Sequence, residues 1–197
     1  LLAEGGPAVL FERVTRPEGG FYDMPVLVNL FGTVERVAWG MDREPQQLRE
    51  VGETLAFLRQ PEPPGGFREA VDMLPRHKTE LPMKPKSSTR APCQEVVLQG
   101  DKIDLDNLPI QTCWPGEPAP LITWPLVVTK GPGKRREDDF NLGIYRMQKL
   151  NKKQTLMRWL KHRGGAQHHQ RWKAEKREPL PAAVVLGADP GTILAAV

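Results

Sequence analysis

Three arginines stand in or beside apolar segments of the last third of the chain. Arg146 lies within NLGIYRMQKL (141–150), Arg158 within TLMRWLKH (155–162), and Arg163 directly ahead of Gly164 and Gly165. A guanidinium in the middle of an apolar strand is costly to bury unless an anion meets it. Gly143 removes a side chain where another group can approach the backbone closely. The Arg-Gly-Gly step leads into a helix, whose first free N–H groups favour phosphate. Strand alternation places Asn141, Gly143, Tyr145 and Met147 on one face and Leu142, Ile144, Arg146 and Gln148 on the other. The partner run places Arg158 and Leu160 on one face, with Trp159 and Lys161 opposite. Guanidinium groups, free amides and flat apolar side chains together suit a phosphorylated aromatic cofactor. On the residues alone, a second reading stays open: arginines that keep edge strands soluble, and a Gly-Gly pair that is only a turn.

Other chemistry-bearing residues are less specific. His162, His168 and His169 are separated by steps of six and one, which match neither HExxH nor an i, i+4 metal pair. His168 and His169 fall on a basic helix and read as solvated, whereas His162 ends an apolar run near the arginines. Cys93 and Cys113 form no CxxC motif, which points to buried apolar thiols in a reducing, cytoplasmic setting. Trp114 and Trp124, in the proline-stiffened WPGEPAPLITWP, read as packing residues, with the lining of a binding cleft as the alternative. The KRREDD run (134–139) reads as a solvated loop whose charges nearly cancel.

The elements that must position these groups can be read from pattern. Glycine and proline number 18 and 20 of 197 residues, about 19% against a usual value of roughly 12%. Many turns and short elements follow, and a helical bundle or coiled coil is excluded. No apolar run reaches the roughly 18–20 residues of a membrane span, and no signal peptide opens the chain, so a soluble protein is expected. Because the chain opens on Leu1 and closes after ILAAV, a fragment of a longer protein is also expected. Buried strands are expected over Ala8–Val14, in PVLVNLFG (25–32), in EVVLQG (95–100), over Thr123–Gly131, and in LPAAVVLGADP (180–190). The runs 141–150 and 155–162 read as a hairpin joined by the polar turn 151–154. Leu48, Val51, Leu55 and Leu58 recur at helical spacing until PEPPGG (61–66) stops them. A short helix around Phe67–Leu74 precedes a linker over 75–92, and a last helix is expected from Ala166 to Arg177. Residues 130–177 carry 15 basic and 4 acidic side chains, a concentration that attracts anions.

The strings NLGIYRMQ (141–148) and LMRWLKHRGGA (156–166) resemble the cofactor hairpin of the UbiD family, the polyprenyl-4-hydroxybenzoate decarboxylases of ubiquinone biosynthesis. FGTVERVAWGM, LREVGETLAFLRQPEPPGGFRE, the long stretch from APCQEVVLQG to LVVTKGP, and VVLGADPGTILAAV extend the resemblance over essentially the whole chain. It implies an α+β fold: a small N-terminal α/β domain with linker (1–90), then the first part of a split β-barrel of flavin-reductase type that binds FMN (91–197). It also implies a carboxy-lyase using prenylated FMN, with manganese and a monovalent cation such as K+. By resemblance Asn141 is a metal ligand through its amide oxygen. Ile144, Tyr145 and Arg146 match a first cofactor-contacting triplet, Arg158, Trp159 and Leu160 a second, and Arg163 and Gly164 a third contact. In some relatives a histidine of this third region binds the metal, which makes His162 or its neighbour a candidate. Arg146 matches the arginine that holds the substrate carboxylate. The family's glutamate ligand and its acidic proton donor match nothing in these residues.

The implied partners are an aromatic acid with a polyprenyl tail, a flavin prenyltransferase that supplies the cofactor, and further copies of the full-length chain, with no nucleic acid. The lipid tail allows peripheral association of a cytoplasmic protein with the inner membrane. The competing readings are a non-catalytic basic module for nucleic acid or an anionic membrane surface, and a truncated domain that binds nothing.

Overall fold

The computed structural model describes residues 5–59, 88–133 and 139–197. The chain forms two compact units, Leu1–Pro45 with Asp101–Val197, and Gln46–Gly100. The division expected after residue 90 therefore falls inside the second unit.

In the larger unit, β1 (Val9–Phe11) and β2 (Val26–Val28) form a short antiparallel pair. The connection turns at Gly19 and Gly20, whose positive φ angles of 98° and 80° suit glycine. Leu10 and Phe11 are exposed, so the expected buried strand over Ala8–Val14 is shorter and open to solvent. Helix α1 (Val34–Gly40) follows, capped by the Thr33 side chain, which accepts from the Arg36 N–H. The sequence reading missed it, although a capping threonine with Glu35 in the first turn is a helix-start signal.

Two three-stranded antiparallel sheets carry the rest. One has the order β3 (Leu121–Ile122), β6 (Met147–Lys149), β7 (Thr155–Met157). The other has the order β5 (Phe140–Ile144), β4 (Leu126–Lys130), β8 (Ala182–Val185). The segment expected as one strand over 141–150 thus leaves one sheet and enters the other at Tyr145–Arg146. Its neighbour makes the same passage at Thr123–Pro125. Ile122 pairs with Met147 and Leu126 with Ile144, so three residues on one side oppose two on the other. That excess residue is the arithmetic of a β-bulge, which bends the ribbon and re-aims side chains at the bend.

Strand β4 is central and almost fully buried, with Leu126, Val127 and Thr129 at 1% exposure or less. Its partner β8 is an edge strand, exposed throughout, and not the buried strand expected there. The second hairpin run stops at Met157, so Arg158, Trp159 and Leu160 lie beyond β7 and not on a strand face. Helix α3 (Gly164–Glu175) packs on β4 and β5, beginning two residues before the expected start. Helix α4 (Pro190–Ala195) is capped by Asp189, which accepts from the Thr192 N–H. Ile193 and Ala196 bury against Leu126, with Phe31, Ile144 and Ala188 around them. Gly40 permits this docking: a Cβ there would lie 2.9 Å from Pro190 Cβ.

The smaller unit contains α2 (Leu48–Arg59), as the leucine spacing predicts. Its exposed face carries an i, i+4 ion pair, Arg49 Nε to Glu53 Oε1 at 3.1 Å. Residues 95–99, expected as a strand, contain none; a 3-10 turn at Pro92–Gln94 precedes them, and Val96, Val97 and Leu98 are exposed. The segments expected to end α2, to form a helix around Phe67–Leu74 and to act as a linker lie largely outside the described residues. No described helix is long and apolar enough to cross a membrane.

Candidate functional site

The bend gathers the candidate residues. A cavity of about 760 Å³ is lined by Asn141, Ile144, Tyr145 and Arg146 from the β5–β6 passage, and by Thr123 and Trp124 from the opposing one. Arg158, Leu160, Arg163 and Gly164 close a further side, with Ala196 and Val197 at the end of α4. Of the residues expected at the site, all but Trp159 and the alternative metal candidate His162 line this cavity. The guanidinium groups of the three arginines make no hydrogen bond or ion pair with another described residue, so they are free to meet an anion.

Glycines set the close approaches around it. Gly143 is buried opposite Val127, and a Cβ there would stand 2.8 Å from the Tyr145 hydroxyl oxygen. The phenol therefore folds back over Gly143 toward Asn141, two residues farther along the same face. Asn141 donates from Nδ2 to that hydroxyl at 3.2 Å, and the Gly165 backbone N–H donates to it at 3.1 Å. With its amide nitrogen so used, Asn141 turns its oxygen toward Gly164; a Cβ on that glycine would lie 2.0 Å from Oδ1. The start of α3 and the carboxamide thus share one corner of the cavity. The N-cap residue of α3, Arg163, makes no cap with its own side chain, so the Gly164 amide at the cavity is left open. First-turn amides and an adjacent guanidinium make that corner electropositive.

Trp159 lies behind the cavity wall. Its ring meets Tyr145 edge-on at 5.9 Å and tilts against His169 at 5.8 Å, while Gly165 gives it room. Its indole nitrogen is buried with no hydrogen-bond partner. Here the structure places Trp159 as support for Tyr145 and not as a lining residue.

Three further expectations need correction. His168 is buried, not solvated: its Nδ1 lies 3.0 Å from Thr129 Oγ1 and its Nε2 3.3 Å from Asp139 Oδ1. Sequence spacing gave no signal for that pair, because the partners lie 39 and 29 positions away. Both cysteines are exposed, as is Trp114, while Trp124 stands half in solvent over the cavity. The basic stretch is also less free than its charge count suggests. Lys149, Lys152 and Lys153 pair with Asp106, Asp104 and Asp101, and Arg171 grips Asp139. Lys152 holds the Asp104 carboxyl below the usual range and is itself raised by it, and the Arg171 guanidinium likewise lowers Asp139. Four of the basic side chains therefore spend their charge locally, Lys152 on Asp106 as well.

The donor set separates two kinds of guest. Guanidinium groups, helix amides and apolar walls in one cavity fit a phosphorylated aromatic group. A divalent metal is not accounted for: Asn141 supplies the one carboxamide in the lining, and no cluster of three His, Cys, Asp or Glu exists among the described residues. The His162 ring is not among the lining residues; its backbone carbonyl accepts from Gln167.

A family model described as the 3-octaprenyl-4-hydroxybenzoate carboxy-lyase Rift-related domain matches residues 84–197, and the N-terminal domain of the same enzyme matches residues 1–55. Among solved structures, vanillic acid decarboxylase of Sedimentibacter hydroxybenzoicus in its closed form is similar over 99% of this chain and 37% of its own, at 24% identity and a TM-score of 0.72. The UbiD-class enzyme HmfF from Pelotomaculum thermopropionicum, in complex with FMN, is similar over 94% of this chain and 35% of its own, at 24% identity and 0.69. An evolved dimeric form of HmfF in complex with prenylated FMN gives 0.68 at 24% identity, over 95% and 37%. The chain spans about a third of the length of these structures, whose likeness establishes a shared mixed α/β fold with small sheets.

Proposed function

Because this chain belongs to the UbiD carboxy-lyase family, we propose that it is part of a prenylated-FMN-dependent decarboxylase whose cofactor lies in the cavity at the β5–β6 bend. The observation that carries this reading is the convergence of three arginines without a side-chain partner among the described residues, a carboxamide and the start of α3 on one cavity with apolar walls. The complexes of HmfF with FMN and with prenylated FMN support the cofactor class. We further read the two small sheets as the beginning of a split β-barrel, with the N-terminal α/β domain over 1–90.

Each residue has a role in this proposal. Arg163 and the Gly164 amide at the start of α3 bind phosphate, where two kinds of positive end act on one anion. Ile144, Leu160 and Trp124 form apolar walls for a flat ring. Arg146, at the bend, pairs with the substrate carboxylate and fixes it over that ring, and Arg158 adds charge from the β7 side. Tyr145 holds the Asn141 amide so that its oxygen faces the same corner. When bound, prenylated FMN supplies an electron sink for the carbon that loses CO2. The carbon–carboxylate bond breaks and a proton takes its place. That proton comes from outside the described lining, which contains no carboxylic acid. The described donors do not make a site for manganese.

The substrate is proposed as 4-hydroxy-3-polyprenylbenzoate, with a flavin prenyltransferase supplying the cofactor and the full-length protein assembling as a homo-oligomer. The setting is cytoplasmic, with peripheral contact at the inner membrane. The test is co-expression with a flavin prenyltransferase, followed by CO2 release from 4-hydroxy-3-polyprenylbenzoate, vanillate and 3,4-dihydroxybenzoate compared side by side. Release from the prenylated acid is expected. Release only from the short acids overturns the substrate, and no release from any of them overturns the decarboxylase reading. The rival basic module has less support, since its most concentrated lysines are already paired with aspartates.

A further inference from the structure

The first turn of α3 is Gly164, Gly165 and Ala166, three residues without a side chain long enough to anchor it. Yet the proposed phosphate corner depends on where the amides of that turn point. The first long side chain that ties the helix inward is His168, four residues after Gly164 and so on the same helix face. It is 8% exposed and reaches two elements at once. Its Nδ1 meets the hydroxyl of Thr129, itself 1% exposed on the central strand β4, at 3.0 Å. Its Nε2 meets Asp139 at the entrance to β5 at 3.3 Å.

Asp139 is itself fixed. Arg171, one turn farther along α3, donates to its two carboxylate oxygens at 2.5 and 2.6 Å, and its backbone carbonyl accepts from the Gly131 N–H at 2.9 Å. The carboxylate can only accept, so it takes the Nε2–H of the imidazole. Nδ1 shares the other hydrogen bond with the Thr129 hydroxyl, a group that can donate or accept. Both ring nitrogens are satisfied from two different strands, which fixes the rotation of the helix about its axis as well as its distance from the sheet.

We infer that His168 is a positioning residue for the anion corner. Clamped by Thr129 and Asp139, it sets the direction in which the first turn of α3 presents the Gly164 amide to the cavity, although it touches nothing in the cavity itself. The inference rests on the cofactor reading above for its binding consequence, but not for its structural one.

The test uses the 197-residue chain and two readouts. Amide hydrogen exchange reports on Gly165, bonded to Tyr145, and on Lys176, bonded to the Trp172 carbonyl at the other end of α3. Binding of FMN is compared with binding of riboflavin, which lacks the phosphate. His168→Gln keeps an N–H for Asp139, His168→Asn keeps a partner for Thr129, and His168→Leu removes both. With His168→Leu we expect Gly165 to exchange about tenfold faster while Lys176 is unchanged, and FMN to bind about tenfold more weakly while riboflavin is unaffected. His168→Gln and His168→Asn should fall between. Equal acceleration at both ends of the helix, or equal loss of both ligands, would show a merely structural residue and overturn the inference. If His168→Leu does not fold, Thr129→Val, which removes only the hydroxyl, decides on the same readouts. If the wild-type chain binds neither flavin, the cofactor reading fails while the exchange result still judges the clamp.

Discussion

Replacing Gly164 with alanine sets two effects of similar size against each other. Glycine in a helix costs about 0.8–1.0 kcal/mol relative to alanine, so propensity alone predicts that Gly164→Ala stabilises α3. The new Cβ, however, would lie 2.0 Å from Asn141 Oδ1 and 2.8 Å from its Cγ, far inside contact distance. The obstacle is the end of a side chain and not backbone, so relief comes by rotating Asn141 away. That rotation breaks the Asn141–Tyr145 hydrogen bond, a loss of about 0.5–1.5 kcal/mol. The two contributions nearly cancel, and the midpoint of thermal unfolding should move by no more than about 2–4 °C. The double mutant separates them. In an Asn141→Ala background the obstacle is gone, so Gly164→Ala should now stabilise by up to about 1 kcal/mol. Denaturant unfolding of the wild type, both single mutants and the double mutant gives the coupling directly. Additivity within about 0.3–0.5 kcal/mol would refute the contact, since residues that do not interact add to that precision. FMN binding should respond quite differently from stability, falling about tenfold in Gly164→Ala because the new methyl group stands at the start of α3, where phosphate is proposed to bind.

Gly165→Ala should behave unlike its neighbour. Its Cβ would stand 2.9 Å from Trp159 Cε2, and a ring wedged between Tyr145 and His169 cannot step aside, so a loss of about 1–3 kcal/mol is expected by denaturant unfolding. Tyr145→Phe removes the acceptor for both Asn141 Nδ2 and the Gly165 N–H, and should lower stability by about 1–2 kcal/mol while freeing the Gly165 amide to exchange. An unchanged Gly165 exchange rate would count against that bond. Arg171 lowers the Asp139 carboxyl, so this ion pair contributes stability above the ordinary aspartate range and loses it as pH falls through the lowered value. Asp139→Asn should therefore flatten the acid limb of a stability-against-pH curve. The slope left over belongs to other lowered acids such as Asp104 and Asp189.

The parts of this site that were legible in the sequence are those governed by local periodicity. Alternation puts Asn141, Gly143 and Tyr145 on one strand face, and the Asn141–Tyr145 bond spans that face. Leucine spacing marks α2, and an Arg-Gly-Gly step marks the start of α3. What was not legible depends on residues distant in the chain. The break at Tyr145–Arg146 exists because three residues oppose two across a strand pair, a register that no single segment contains. The apolar run Val96–Leu98 lacks a strand partner among the described residues and stays exposed. His168 looks like one more polar helix residue until Thr129 and Asp139 are brought beside it.

The glycines join the two levels. Gly143 reads in sequence as room for something to approach the backbone, and Gly164 and Gly165 as a turn into a helix. In the structure the approaching groups are Tyr145, Asn141 and Trp159, candidate residues themselves. The space is used to set the directions of the side chains around the cavity, and the guest meets a corner already fixed by the chain. A phosphate corner built this way gains affinity from preorganisation, which is why loosening it through His168 or Gly164 should be felt in FMN binding sooner than in folding.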